Sequence, residues 1–191
     1  MKKVFIFVLI CITVFCVFYY IFQKKGNNKI SKNEKRIEDV LNSFYNYEAE
    51  VETVVYSNKT ERKYNMKQEV KENISRCIIE DPKMIIEKSK NIIKITNSVL
   101  NVEKVYENLS DITNNYFFLN TFSNDCMENG FEMEERDGKI FIKTKLINNY
   151  NTYVKEKELE INRENLKPEK LVIKDNTQNL RVCIKYNNVV I

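Results

Sequence analysis

The 191-residue chain contains no histidine and only 3 glycines. This removes Ser-His-Asp and Cys-His catalysis, histidine-ligated metal sites and any phosphate-cradling glycine loop. The formal net charge of +4 arises at the N-terminus: Lys2, Lys3, Lys24 and Lys25 are four of the 31 basic residues, and none of the 27 acidic residues precedes Ile30, so the remaining chain balances at 27 of each sign. A nucleic-acid binder carries a basic excess, so no nucleic-acid partner is expected.

Val4 to Phe22 is an apolar run in which Thr13 is the only clearly polar member. As a helix it would be roughly 28 Å long, close to the hydrocarbon thickness of a bilayer. Lysines bracket it, and Tyr19 and Tyr20 lie where aromatic rings favour the membrane interface. A cleaved signal peptide would have a shorter apolar core, followed by a small-residue site of the Ala-x-Ala kind; none follows here. A lipidated cysteine needs a small residue directly before it, but Ile10 precedes Cys11 and Phe15 precedes Cys16. The expectation is therefore an uncleaved, unlipidated anchor over residues 1–25, contacting the membrane through residues 4–22. The basic residues after the span (Lys24, Lys25, Lys29, Lys32, Lys35 and Arg36) leave orientation open on charge alone; an external domain is expected.

Residues 26–30 read as a linker and residues 31–191 as one domain. Ser31 and Glu34 form a capping box. Ile37, Val40, Leu41 and Phe44 follow at helical spacing, predicting a helix over Lys32 to Asn46. From Tyr47 the period becomes two: Tyr47, Ala49, Val51, Thr53 and Val55 alternate with Glu48, Glu50 and Glu52, as in a half-buried strand. Ser57 to Thr60 is turn chemistry. Further strands are predicted over Tyr64 to Val70 and Cys77 to Glu80, the latter ended by Asp81-Pro82. Met84 to Glu87 and Ile92 to Thr96 make a hairpin, and Val99 to Tyr106 alternates weakly. Ile112, Tyr116 and Leu119, widened by Phe117 and Phe118, predict a second helix over Asp111 to Asp125. Phe131 to Arg136 and Lys139 to Leu146 flank Asp137-Gly138, the preferred two-residue hairpin turn. Tyr153 to Ile161, Leu171 to Lys174 and Leu180 to Tyr186 complete a mainly β, α+β domain: an antiparallel sheet with helices on one face.

No catalytic constellation emerges. Glu134-Glu135 and the trio Glu156, Glu158 and Glu160 are paired carboxylates, but alternating charges on a strand mark the wet face of a sheet. The aromatic residues fall at core positions. Cys77, Cys126 and Cys183 are too few and too scattered for a disulfide framework or a C-x-x-C metal site, and read as free structural thiols. Cys183 should share a strand face with Arg181 and Lys185, which makes it the one plausible reactive thiol of the three. No cofactor or metal is expected; a homodimer is compatible with the sequence.

Three stretches carry a resemblance. They are Phe44-Tyr45-Asn46-Tyr47-Glu48-Ala49-Glu50-Val51 with Ser57-Asn58-Lys59, then Tyr64-Asn65-Met66-Lys67-Gln68, and then Leu159-Glu160-Ile161-Asn162 through Leu166-Lys167-Pro168-Glu169-Lys170-Leu171-Val172-Ile173 to Ile184-Lys185-Tyr186-Asn187. In order and spacing they resemble the clostridial spore germination lipoprotein family of GerS, and the closing strands also resemble LolA-like lipoprotein carriers. The likeness covers most of residues 31–191. It implies a curved, incomplete LolA-like β-barrel with helices on the concave face. It also implies a non-catalytic role: binding a spore-cortex N-acetylmuramoyl-L-alanine amidase and permitting the muramic-δ-lactam formation that germination requires. The alternative it implies is a lipid or lipoprotein carrier of the cell envelope. The missing lipidation motif is a departure: either the peptide anchor replaces the lipid, or the partner differs.

Overall fold

The structure, a computed structural model, describes residues 36–57, 59–72, 74–89, 92–107, 117–146 and 153–191. The expected span over residues 4–22, with Cys11 and Cys16, lies outside these residues, as does the linker. The chain divides into two compact units, Met1–Val40 and Leu41–Ile191. The described part of the first is residues 36–40 of helix α1, described over residues 36–43, where Ile37 and Val40 are buried.

Leu41 and Phe44, the next two residues of that stripe, are buried in the second unit. Helix α1 ends in a tightened turn: the amides of Phe44, Tyr45 and Asn46 donate to the carbonyls of Leu41, Asn42 and Ser43 at 3.3, 3.4 and 3.1 Å. This i to i+3 pattern is a common way to satisfy the last carbonyls of a helix. The predicted helix to Asn46 is therefore shorter, because Tyr47 must already be extended.

The second unit is one open, curved antiparallel sheet of eleven strands. Six strands run outward in chain order: β1 (Tyr47–Tyr56), β2 (Glu61–Lys71), β3 (Ile74–Ile79), β4 (Met84–Ser89), β5 (Ile92–Asn97) and β6 (Val102–Glu107). Helix α2 (Leu119–Asn129) follows. Five strands then return: β7 (Glu132–Arg136), β8 (Lys139–Lys145), β9 (Glu156–Asn162), β10 (Pro168–Lys174) and β11 (Leu180–Val190). The spatial order is β6-β5-β4-β3-β2-β1-β11-β10-β9-β8-β7, so the two runs meet at the β1–β11 pair.

The alternation read from Tyr47 holds: Tyr47, Ala49, Val51 and Thr53 are buried. Cross-strand pairing puts Val51 opposite Tyr186 and Thr53 opposite Ile184. The same core face carries Leu171 and Ile173, Leu159 and Ile161, and Ile140 and Ile142, all buried. Asp137 and Gly138 both take positive φ, 52° and 74°, as a type I′ hairpin requires. Register shifts interrupt the pairing at Glu48/Glu50, Ile173/Lys174 and Pro168/Lys170. At the first, Asn188 accepts φ 48° and its amide donates to Glu50 at 2.7 Å. Asn tolerates the left-handed region, and such bulges bend the strand that carries them.

Several boundaries differ from expectation. Strand β3 begins at Ile74. Strand β9 begins at Glu156 rather than Tyr153, and β10 at Pro168, where a missing N–H costs a strand least. The largest difference is α2, predicted over Asp111 to Asp125 but found at Leu119–Asn129; residues 111–116 lie outside the description. Phe118 is extended (φ −93°, ψ 145°) and precedes the helix. The true buried stripe is Leu119, Phe122, Ser123 and Cys126, and its polar member obscures it in the sequence. The Ser123 hydroxyl is satisfied by donating to the Leu41 carbonyl at 2.8 Å and shares Leu119 at 3.2 Å. Gly130, at φ 76°, ends the helix.

Candidate partner-binding site

Helix α2 is held to the core face by polar anchors that the sequence does not advertise. At its start, the buried Tyr47 hydroxyl donates to Gln68 Oε1 at 2.8 Å and accepts the Leu119 amide at 3.2 Å. Gln68 Nε2 donates to the Phe117 carbonyl at 3.1 Å. One tyrosine and one glutamine thus anchor the start of a helix that has no side-chain cap of its own. Burial pushes the Tyr47 pKa well above that of an ordinary phenol, so the hydroxyl keeps its proton for this role. At the other end, Lys157 of β9 is fully buried and ion-paired with Asp125 of α2. Burial drives the Lys157 pKa down, against the opposing pull of Asp125. Thr144 donates to the Gly130 carbonyl at 2.8 Å and completes the clamp.

The carboxylate trio of β9 keeps the single face expected of it, but not the exposure. Glu156 is 2% exposed, held between Lys143 at 3.1 Å and Lys174 at 3.3 Å. Burial works to raise its pKa, and the two lysines outweigh it and hold the carboxyl below the usual range. Glu158 lies 3.8 Å from Lys174, and Glu160 is paired with Lys139. The reading of Glu156 as solvated is therefore corrected: lysines on both neighbouring strands cover it. A carboxylate held ionised by two lysines is a poor general acid.

The thiols are likewise quiet. Desolvation pushes Cys77 and Cys126 up to about 12. Cys183 lies on the face opposite Val182, Ile184 and Tyr186, as expected, but it is 8% exposed and not open. Its cross-strand neighbours, Val54 and Val172, are both apolar and close over it. Arg181 turns away to pair with Asp175, with its Nε at 2.7 Å and its Nη2 at 2.6 Å from one carboxylate oxygen. Burial opposes the Asp175 charge, but Thr177, Asn179 and Arg181 overcome it and hold the carboxyl well below the usual range.

What the sheet offers outward is a charged face and an edge. A cleft of about 760 Å³ is lined by Asn46, Glu69, Lys71, Glu72, Ile74 and Arg76. Three of its charges are already paired: Lys71 bridges Glu48 at 2.9 Å and Glu69 at 2.8 Å, and Arg76 meets Glu87 at 3.1 Å. At one side of the sheet, by contrast, Ile92, Val99, Leu100, Val102, Val105 and Tyr106 are all exposed. Single exposed apolar residues are ordinary, but these flank one edge from both faces: Val105 stands on the outer face of its strand, and Val102 and Tyr106 on the other. Sequence reasoning missed it because a weakly alternating segment such as 99–106 does not reveal that it ends a sheet.

The second unit is thus an open antiparallel sheet that holds helix α2 through buried polar contacts. The chain belongs to the YdcC-like sporulation protein family, which matches over residues 1–191. Its fold is similar to that of a chain in the structure of the CwlD amidase from Clostridioides difficile in complex with the GerS lipoprotein, at 20% identity and TM-score 0.51, covering 85% of this chain and 93% of that one. An uncharacterized conserved protein from Thermus thermophilus is similar at 9% identity and TM-score 0.53, covering 83% and 86%. The LolA superfamily protein NE2245 from Nitrosomonas europaea matches at 13% identity and TM-score 0.42, covering 81% and 91%. No curated protein sequence is similar to the chain.

Proposed function

We propose that this protein is a non-catalytic, membrane-tethered accessory protein that binds and activates an N-acetylmuramoyl-L-alanine amidase of the spore cortex. In this role it serves muramic-δ-lactam formation and, through it, germination. The observation that carries the reading is the shared fold: it extends over 93% of a chain from a complex of an amidase with a lipoprotein, and the family is a sporulation family. The paired carboxylates and raised thiols support a binding role over a chemical one. The apolar run Val4 to Phe22 tethers the domain, which faces outward into the forespore or spore envelope, where the amidase acts.

Affinity capture of the full chain from sporulating cells tests the partner. The amidase is expected in the eluate, and the captured protein should have the uncleaved mass of 22.8 kDa without added lipid. Spores of a deletion strain should lack muramic-δ-lactam; normal lactam content in those spores would remove the reading.

A further inference from the structure

Strand β6 is the outermost described strand on its side of the sheet, and all of its residues are exposed. The outer face leading to it carries a charge ladder. Glu69, Arg76, Glu87 and Lys94 stand directly opposite one another across β2 to β5. Arg76 meets Glu87 at 3.1 Å, and Lys94 reaches Glu103 of β6 at 2.8 Å. The sign alternates strand by strand and stops, at the edge, on a carboxylate. Glu107, on the same face, stands opposite apolar Ile92, and exposed Val105 lies between the two carboxylates. The outer side of an edge strand also presents backbone N–H and C=O groups that template a further strand. The opposite edge differs: β7 is five residues long and carries Glu132, Glu134, Glu135 and Arg136, the charged blunting that discourages pairing.

We infer that the β6 edge accepts an extended segment of the partner protein as an added strand, with a basic side chain facing Glu107 and an apolar one facing Val105. This rests on the partner-binding reading above and gives it a surface. A second copy of this chain is a poor occupant. A two-fold antiparallel β6 pair that keeps outer faces together sets Glu103 against Glu107 when centred on Val105, and Lys104 against itself when centred on Lys104. Like charges directly opposite destabilise a strand pair.

Hydrogen-exchange mass spectrometry of the full chain in detergent micelles, with and without the amidase, tests the edge. Complex formation should slow exchange of the 102–107 amides at least tenfold. Val105→Lys and Glu107→Lys should each weaken the complex about tenfold or more with thermal unfolding unchanged, since both side chains are exposed. A complex that leaves 102–107 unprotected overturns the edge assignment and spares the function. Failure to form any complex removes the function and this inference with it. Protection that grows with the chain's own concentration, without amidase, gives the edge to a second copy and overturns the inference.

Discussion

Cys77 and Cys126 are small polarizable side chains set among apolar atoms, and their burial has a thermodynamic sign. A thiol whose folded pKa is raised contributes stability that is complete below its unfolded value of 9.0 and declines as pH climbs toward about 12. The unfolded chain loses these protons first, so the native state binds more of them across that window. Stability should fall between pH 9 and 10 by up to about 1.4 kcal/mol per pH unit for each thiol. Urea unfolding at pH 8, 9 and 10 reads the slope, and Cys77→Ala or Cys126→Ala should flatten it. An unchanged midpoint across that range in the parent protein would show that the thiols ionise inside the fold. Which face Cys77 and Cys183 occupy was legible from strand alternation; Cys126, just past the end of the predicted helix, was not placed by it and lies within α2. The closing of Val54 and Val172 over Cys183 was not, because it depends on which distant strands pair with β11.

Helix α2 shows the same division between local and non-local information. Its existence was readable from a run of Phe and Leu, but its position was not. The helix begins where Tyr47 and Gln68, far away in the chain, can take its free amide and the neighbouring carbonyl. Its second anchor, Lys157 with Asp125, makes a direct prediction. Asp125→Ala removes the carboxylate that pairs with a fully buried ammonium and should cost about 3–5 kcal/mol. Lys157→Met combined with Asp125→Leu should recover most of that loss, because an apolar pair of similar volume suits the same space. A double-mutant cycle by urea denaturation measures this. Costs that simply add would show that the pair does not act as a unit. The charge ladder from Glu69 to Glu103 was illegible for a related reason. Each member looks like an ordinary solvated residue until register aligns them.

On the scale of the whole molecule, the mainly antiparallel architecture was legible because hairpin signals and alternation are local, as at Asp137-Gly138. The strand order was not, since it turns on one long-range pairing. Ile184 sits fully buried opposite Thr53 at that junction. Ile184→Ala should therefore cost about 2–5 kcal/mol and speed amide exchange in β1–β6 and β7–β11 together. Acceleration confined to β7–β11 would show that the two runs open independently. The junction also bears on how the chain is made. Val51 finds Met66 about 15 residues on, but Tyr186 roughly 135 residues on, and by loop-closure scaling that contact costs about 2 kcal/mol more to form from an open chain. Because β11 follows every other strand, β1 stands as a bare edge in the middle of the future sheet until synthesis has delivered nearly everything else. The nascent protein is most open to wrong pairing in that interval, and a chaperone with a site for the Tyr47–Tyr56 edge would act on it there.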